Sequence, residues 1–193
     1  MWFLEELGTP YEIVCYRRDP VTSLAPPELL AAHPLGKSPV IEDGDIKIAE
    51  SGAIIDYLAE RYGKGDWAPA KDSPEYIRHQ EWLHFAEGSA MLPFLLALYV
   101  GRLGEAGAPL QPRIDSETSK FLGYMEAGLG DRDYFFGAQP MAADIALSFV
   151  GEIARGTGKG ADFPGLMAWV ARIQARPAYQ RALAKGGAYR FAG

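Results

Sequence analysis

The sequence predicts an α+β protein: a small ββα unit in its first third, then a linker, then helices to the end. Two short runs, Val40-Ile41 and Ile46 to Ala49, flank Asp43-Gly44, and glycine reaches the positive φ that a tight hairpin turn requires. Ile54, Ile55 and Leu58 follow at helical spacing behind Ser51, a residue type suited to an N-cap. Beyond the aperiodic stretch GKGDWAPAKD, the apolar stripes have helical period.

Each element has its own warrant. Met1 to Gly8 reads as the second half of a helix, closed by Gly8 with Pro10 just beyond. Tyr11 to Tyr16 reads as a strand whose interior buries Cys15 as an inert thiol. Arg17 to Leu30 is a loop punctuated by Pro20, Pro26 and Pro27, leading into a short helix over Glu28 to Ala32 that His33-Pro34-Leu35-Gly36 ends. The ββα unit spans Gly36 to Tyr62. The first domain is set at 1–65, the linker at 66–73 and the helical domain at 74–193.

Ser73-Pro74-Glu75 supplies a cap, a proline at the first position and an early acid, a good helix start. Trp82, Phe85, Met91, Phe94 and Tyr99 stud a long helix, bent or broken near Gly88 and Pro93. Gly101 to Pro112 reads as a glycine-rich loop. Ile114, Thr118, Phe121, Leu122, Met125 and Leu129 mark the next helix. An aromatic loop, Arg132 to Pro140, precedes a helix over Ala142 to Arg155; Phe163 to Ala175 and Ala178 to Lys185 complete the bundle. His79 and His84 have no partner pattern and are expected at the surface or an interface.

Composition excludes some functions. With 48% hydrophobic and 23% charged residues, the 193-residue chain is ordinary for a globular protein. A net charge of −6 does not suit a phosphate-tracking surface, so nucleic acid is not an expected partner. One cysteine rules out an intrachain disulfide and fits a reducing, cytoplasmic compartment. The longest apolar run, Ala90 to Val100, is about half of a bilayer span and is interrupted by Pro93. No metal-ligand cluster is evident, and neither a metal nor an organic cofactor is expected.

The ends of the ββα unit suggest a ligand. If the Ser38-Pro39 bond is cis, the N–H and C=O of Ser38 turn outward, free to pair with an extended chain. Glu50-Ser51 lies at a helix N-terminus, where free amides and the macrodipole favour a carboxylate; the Glu50 side chain can hold an ammonium. One edge for a peptide backbone and one pocket for an amino-acid head group describe a site for a small γ-linked peptide.

The stretch GKSPV, then ES opening a helix that ends DYLAERY, resembles the glutathione-binding half of glutathione S-transferases. LEELGTPYEIV, LAPPELLAAHPLGKSPV, AADIALS and RIQARPAYQRALAKGG continue the likeness in order over nearly the whole chain, closest to the bacterial and fungal type. The resemblance implies a thioredoxin-like first domain, an all-helical second one, and conjugation of glutathione to an apolar electrophile. It implies glutathione contacts at Lys37, Ser38, Pro39, Val40, Glu50 and Ser51, with His33 as a further contact to the glycine end. It implies a homodimer, in which Glu87 reaches the neighbour's γ-glutamyl ammonium. Met91, Phe94 and Tyr99 are the candidates for the co-substrate pocket, against core or subunit interface.

Two departures are visible. Nothing corresponds to the family's opening strand and the loop carrying its thiol-activating serine, tyrosine or cysteine, so no catalytic residue is assigned; a late start and a true deletion both stay open, the former being the expectation. Ser38 and Ser51 are the nearby hydroxyls. Without that residue, a non-catalytic protein keeping the fold for binding or interaction is the alternative. Met141 also stands where the family caps its helix with Ser or Thr, three residues before Asp144, a loss that typically costs about 1 kcal/mol.

Overall fold

The computed structural model describes residues 1–22 and 24–191. Its elements in order are α1 (Trp2–Leu7), α2 (Pro27–Ala32), β1 (Val40–Asp43), β2 (Ile46–Ala49), α3 (Ser51–Tyr62), α4 (Pro74–Phe85), α5 (Met91–Val100), α6 (Gln111–Leu129), α7 (Ala142–Gly156), α8 (Pro164–Gln174) and α9 (Pro177–Gly186). The α+β class follows: one antiparallel hairpin, then helices. Gly44, at φ 61°, makes the turn, and the register pairs Val40 with Ala49 and Asp43 with Ile46.

Tyr11 to Tyr16 departs from expectation. The segment forms no strand, because β1 and β2 pair only with each other among the described residues and leave it no ladder to join. Strand-forming side chains alone do not hold an extended segment in a sheet. Cys15 is therefore exposed, not a buried thiol.

Two further differences lie in the long helices. The break near Gly88 is a π-helical turn, Ala86–Ala90, which widens the helix just ahead of Pro93 and absorbs the backbone bond that proline cannot make. Residues Gly101–Leu110 are not a loop but a 3₁₀ stretch, bent at Gly104, where φ is 57° and ψ −132°. The one residue at positive φ turns the chain, and the rest stay helical.

The helical run from Pro74 through Leu129 holds an 18-residue stretch of mean hydropathy 1.4, long and apolar enough by length and composition to cross a membrane, and 28% buried. The run doubles back at Gly104 and lays α5 against α6, so its apolar length belongs to a bent helical hairpin.

The main core lies among α4, α6, α7 and α8, around Trp82, Leu122, Met125, Leu147 and Trp169. A second core joins the hairpin and α3 to the bundle through Phe3, Ile54, Ile55, Leu58, Leu83 and Ala142. Helix α1, only six residues long, has no intrinsic stability at that length. Ion pairs tie it to α9: Glu5 meets Arg181 at 2.9 Å, and Glu6 meets the Arg176 Nη2 at 2.9 Å.

His79 is fully buried, contrary to the surface placement its sequence context suggested. It acts at the start of α7. The Asp144 carboxylate accepts the Met141 amide at 2.9 Å, the half of the capping box that the sequence retains. Met141 brings no hydroxyl, and the next amides are met from elsewhere: the Trp67 carbonyl accepts from Ala142 at 2.8 Å and His79 Nε2 from Ala143 at 3.2 Å. The linker and α4 thus supply the cap that residue 141 lacks.

Candidate functional site

A cavity of about 830 Å³ opens where the hairpin, the start of α3 and α1 face α7, α9 and the tail after Gly187. Its construction begins at Gly36. There φ is 56°, a left-handed conformation that glycine holds without strain as the chain leaves α2. Lys37, Ser38 and Pro39 follow directly and line the cavity. The Ser38-Pro39 bond is cis. The hairpin ladder begins at Val40 and Ala49, beyond Ser38.

On the facing side, Glu50 carries φ 74°, a left-handed conformation that non-glycine residues rarely hold and that clusters at functional sites. Ser51 is the first residue of α3, not its cap, and no side chain caps that helix. The leading amides of α3 are therefore left for a ligand, with the positive end of the helix dipole behind them. Glu50 and Ser51 both line the cavity.

The structure thus brings together Lys37, Ser38, Pro39, Glu50 and Ser51, which lie at most fourteen positions apart in sequence and which a hairpin folds into one wall. Glu87, from the π turn, lines the same cavity of the same chain. Val40 stands in the ladder beside it. His33 stays outside, its Nδ1 accepting the Leu35 amide at 3.3 Å. Met91, Phe94 and Tyr99 do not line the cavity. Met91 and Phe94 pack partly buried against the main core, and Tyr99 is 54% exposed under the Arg102 guanidinium. The apolar wall comes instead from Ile54, Ile145, Ala146 and Phe149.

One functional feature escaped the sequence reading. Glu152 of α7 lines the cavity although the residue is only 4% exposed. It accepts hydrogen bonds from the Tyr179 hydroxyl, from the Tyr189 hydroxyl at 2.6 Å and from Gln174 Nε2 at 3.3 Å. Burial, then the bond to this carboxylate, raises both phenols well above the ordinary tyrosine range, so they remain protonated donors. The signal was available: Glu152 follows Ile145 by seven residues and Ser148 by four, one face of a helix.

The fold has counterparts among known proteins. The family model for the glutathione S-transferase N-terminal domain matches residues 1–60, and that for the C-terminal domain matches residues 108–172. The chain is 35% identical to glutathione S-transferase 3 of Schizosaccharomyces pombe, over 77% of this chain and 66% of that protein. It is 34% identical to glutathione S-transferase F10 of Arabidopsis thaliana, over 82% and 79%. Among solved structures, a glutathione S-transferase from Actinobacillus pleuropneumoniae aligns with a TM-score of 0.84 at 31% identity, covering 99% of this chain and 92% of that one. A glutathione transferase family member from Pseudomonas fluorescens, solved with two glutathione bound, aligns at 0.78 and 30% identity, over 94% and 85%. The fold is that of a thioredoxin-like domain joined to a helical one, and the chain belongs to the glutathione S-transferase family.

Proposed function

We propose that this protein binds reduced glutathione in the cavity and conjugates its thiol to apolar electrophiles, a detoxifying reaction, working as a homodimer in the cytoplasm. The observation that carries the reading is the meeting of Lys37, Ser38, Pro39, Glu50 and Ser51 on one wall. In this reading the Ser38 to Val40 edge pairs with the tripeptide backbone. The free amides of α3 and the Ser51 hydroxyl take the γ-glutamyl carboxylate, and Glu50 takes its ammonium. Lys37 takes the glycine carboxylate, with His33 behind it. The domain division at 1–65 and 74–193 goes with the same reading. Solved relatives described with glutathione bound support the ligand.

The chemistry needs no metal or organic cofactor. The thiolate sulfur gives its electron pair to an electrophilic carbon, and the leaving group departs with the pair from the broken bond. The electrophile rests on the Ile145 to Phe149 side, since Met91, Phe94 and Tyr99 lie elsewhere. Leu92, Leu95, Leu98 and Tyr99, exposed on α5, support a subunit interface instead, and Glu87 serves its own cavity in place of the neighbour's.

A second reading, binding without turnover, is favoured by the state of the hydroxyls. Tyr179 and Tyr189 spend their protons on Glu152, and Ser148 spends its proton on the Ile145 carbonyl. Ser38 and Ser51 are then the remaining hydroxyls along the cavity among the described residues. Titration calorimetry with reduced glutathione, followed by turnover of a reactive aromatic halide, separates the cases. Binding with turnover is expected. Binding alone selects the second reading, and no binding by a folded sample overturns both.

A further inference from the structure

The charges of the cavity do not balance. The charged side chains lining it are Lys37 against Glu50, Glu87 and Glu152, and Met1 lines it too, its amine held below the ordinary range by burial. None of the four forms an ion pair within the protein among the described residues, whose salt bridges all lie elsewhere. Bound glutathione, on the reading above, uses Lys37 and Glu50 and leaves two carboxylates facing the space beside its thiol.

Glu152 is the more consequential of the two. Buried carboxylates are ordinarily matched by a cation, because removing the charge from water costs several kcal/mol. Here every partner is a neutral donor: two phenols and one amide. Arg155, the cation nearest in this network, is turned to Gln174 Oε1 at 2.5 Å and reaches Glu152 only through that amide. Glu152 Oε2 accepts a single hydrogen bond among the described residues, from Tyr189, so it retains acceptor capacity toward a ligand. The neighbouring wall, Phe149, is apolar and aromatic, a surface that also suits the stem of a cationic group.

We propose that the cavity selects co-substrates that carry a positive charge, and that Glu152 receives that charge as a specificity-determining residue. The co-substrate would be an electrophile bearing an ammonium or amidinium group at the end of an apolar stem. Glu87 at the rim draws the cation inward, and Glu152 at depth pairs with it. The inference rests on the glutathione reading of the cavity and adds the chemical class of the second substrate. No bond changes at Glu152; its part is recognition.

Glutathione conjugates test this without requiring turnover. S-(ω-aminoalkyl)glutathiones of increasing chain length are each titrated by calorimetry against the S-alkylglutathione of the same length. An ammonium that reaches Glu152 is expected to tighten binding by about tenfold or more at one length, and Glu152→Gln is expected to bring the ratio of amino to plain alkyl affinity near unity, whatever it does to the two affinities themselves. Comparison within the wild-type protein needs no variant, so a Glu152→Gln protein that fails to fold does not stop the test. If the plain conjugates bind and the amino series never exceeds them, or if the preference survives in Glu152→Gln, the inference falls while the glutathione reading stands. If no conjugate binds to a folded sample, both fall.

Discussion

His79 Nε2 accepts the backbone amide of Ala143 at 3.2 Å, sixty-four positions further along the chain. Its Nδ1 is buried without a hydrogen-bond partner among the described residues, and the Trp67 carbonyl holds the Ala142 amide. The helix whose own cap residue is Met141 is therefore held by a side chain from α4. Replacing His79 with Leu leaves the Ala143 amide buried and unmet. A loss of about 2 kcal/mol is expected, read by urea unfolding of the two proteins side by side.

The same residue sets a pH dependence. Burial holds the His79 imidazole down to about 4, against an ordinary 6.5. As pH falls from 6.5 toward 4, the unfolded chain takes up a proton that the folded one refuses, so stability present above 6.5 is lost across that window. Asp144 acts in the opposite sense, because burial raises its carboxyl from 3.8 to about 6: its contribution is present below 3.8 and lost as pH rises through 6. His79→Gln removes the first effect and leaves the second. Urea midpoints measured from pH 4 to 7 should decline less toward acid in the variant than in the parent; equal decline would remove His79 as the cause.

Glu5 binds α9 through Lys185 at 2.5 Å and Arg181 at 2.9 Å, and also accepts from the Tyr11 hydroxyl at 2.9 Å. The Lys185 bond first, then those to Arg181 and Tyr11, hold its carboxyl at about 2. Stability from this group is full above its ordinary 4.5 and is lost as pH falls toward 2. The pairs are partly exposed to solvent and so are screened by salt. Glu5→Gln should lower the melting temperature and flatten its dependence on added salt.

Gly128 of α6 sits under Trp82, where a Cβ would lie 2.3 Å from Cζ2 of the indole. Glycine to alanine within a helix ordinarily gains about 1 kcal/mol. Here the ring is walled in by Phe85, Tyr124 and Phe135 at centroid distances of 5.4, 4.7 and 4.8 Å and cannot withdraw. Overpacking of about 1–3 kcal/mol outweighs the propensity gain, so Gly128→Ala should melt below the parent in calorimetry.

For the site itself, Ser51→Ala is expected to weaken glutathione binding roughly tenfold, the worth of one hydrogen bond to a charged group. Tyr99→Ala, remote from the cavity, should stay within about twofold in the same titration. A large loss at Tyr99 would extend the glutathione contacts to α5.

The hairpin, α3 and the bundle were legible because each rests on local pattern: a glycine turn, an apolar stripe, a proline at a helix start. The cavity-lining residues Lys37 to Pro39 and Glu50-Ser51 were legible for a related reason, since they sit at element ends that the pattern marks. The misreadings all depend on what an element meets in space. Tyr11 to Tyr16 has strand-forming residues and no ladder to join. For Met91 and Phe94, core and pocket were both open, and they turn to the core, which helical spacing alone does not decide. Glycines 101, 104 and 107 suggested a loop, yet Gly104 bends the chain alone. His79 and Glu152 owe their roles to partners far away in sequence.

The ties between α1 and α9 join residues 170 and 176 positions apart. Phe3 of that six-residue helix can meet α3 and Trp67 early, but the ion pairs that tie the helix down wait for residues near the end of the chain. Trp2, which ends beside Tyr179 at 5.9 Å, spends that interval uncovered. The hairpin and the bundle can each gather from near neighbours, but Tyr179, Ala182 and Leu183 line the cavity from α9, so the site is completed only when the final helix arrives.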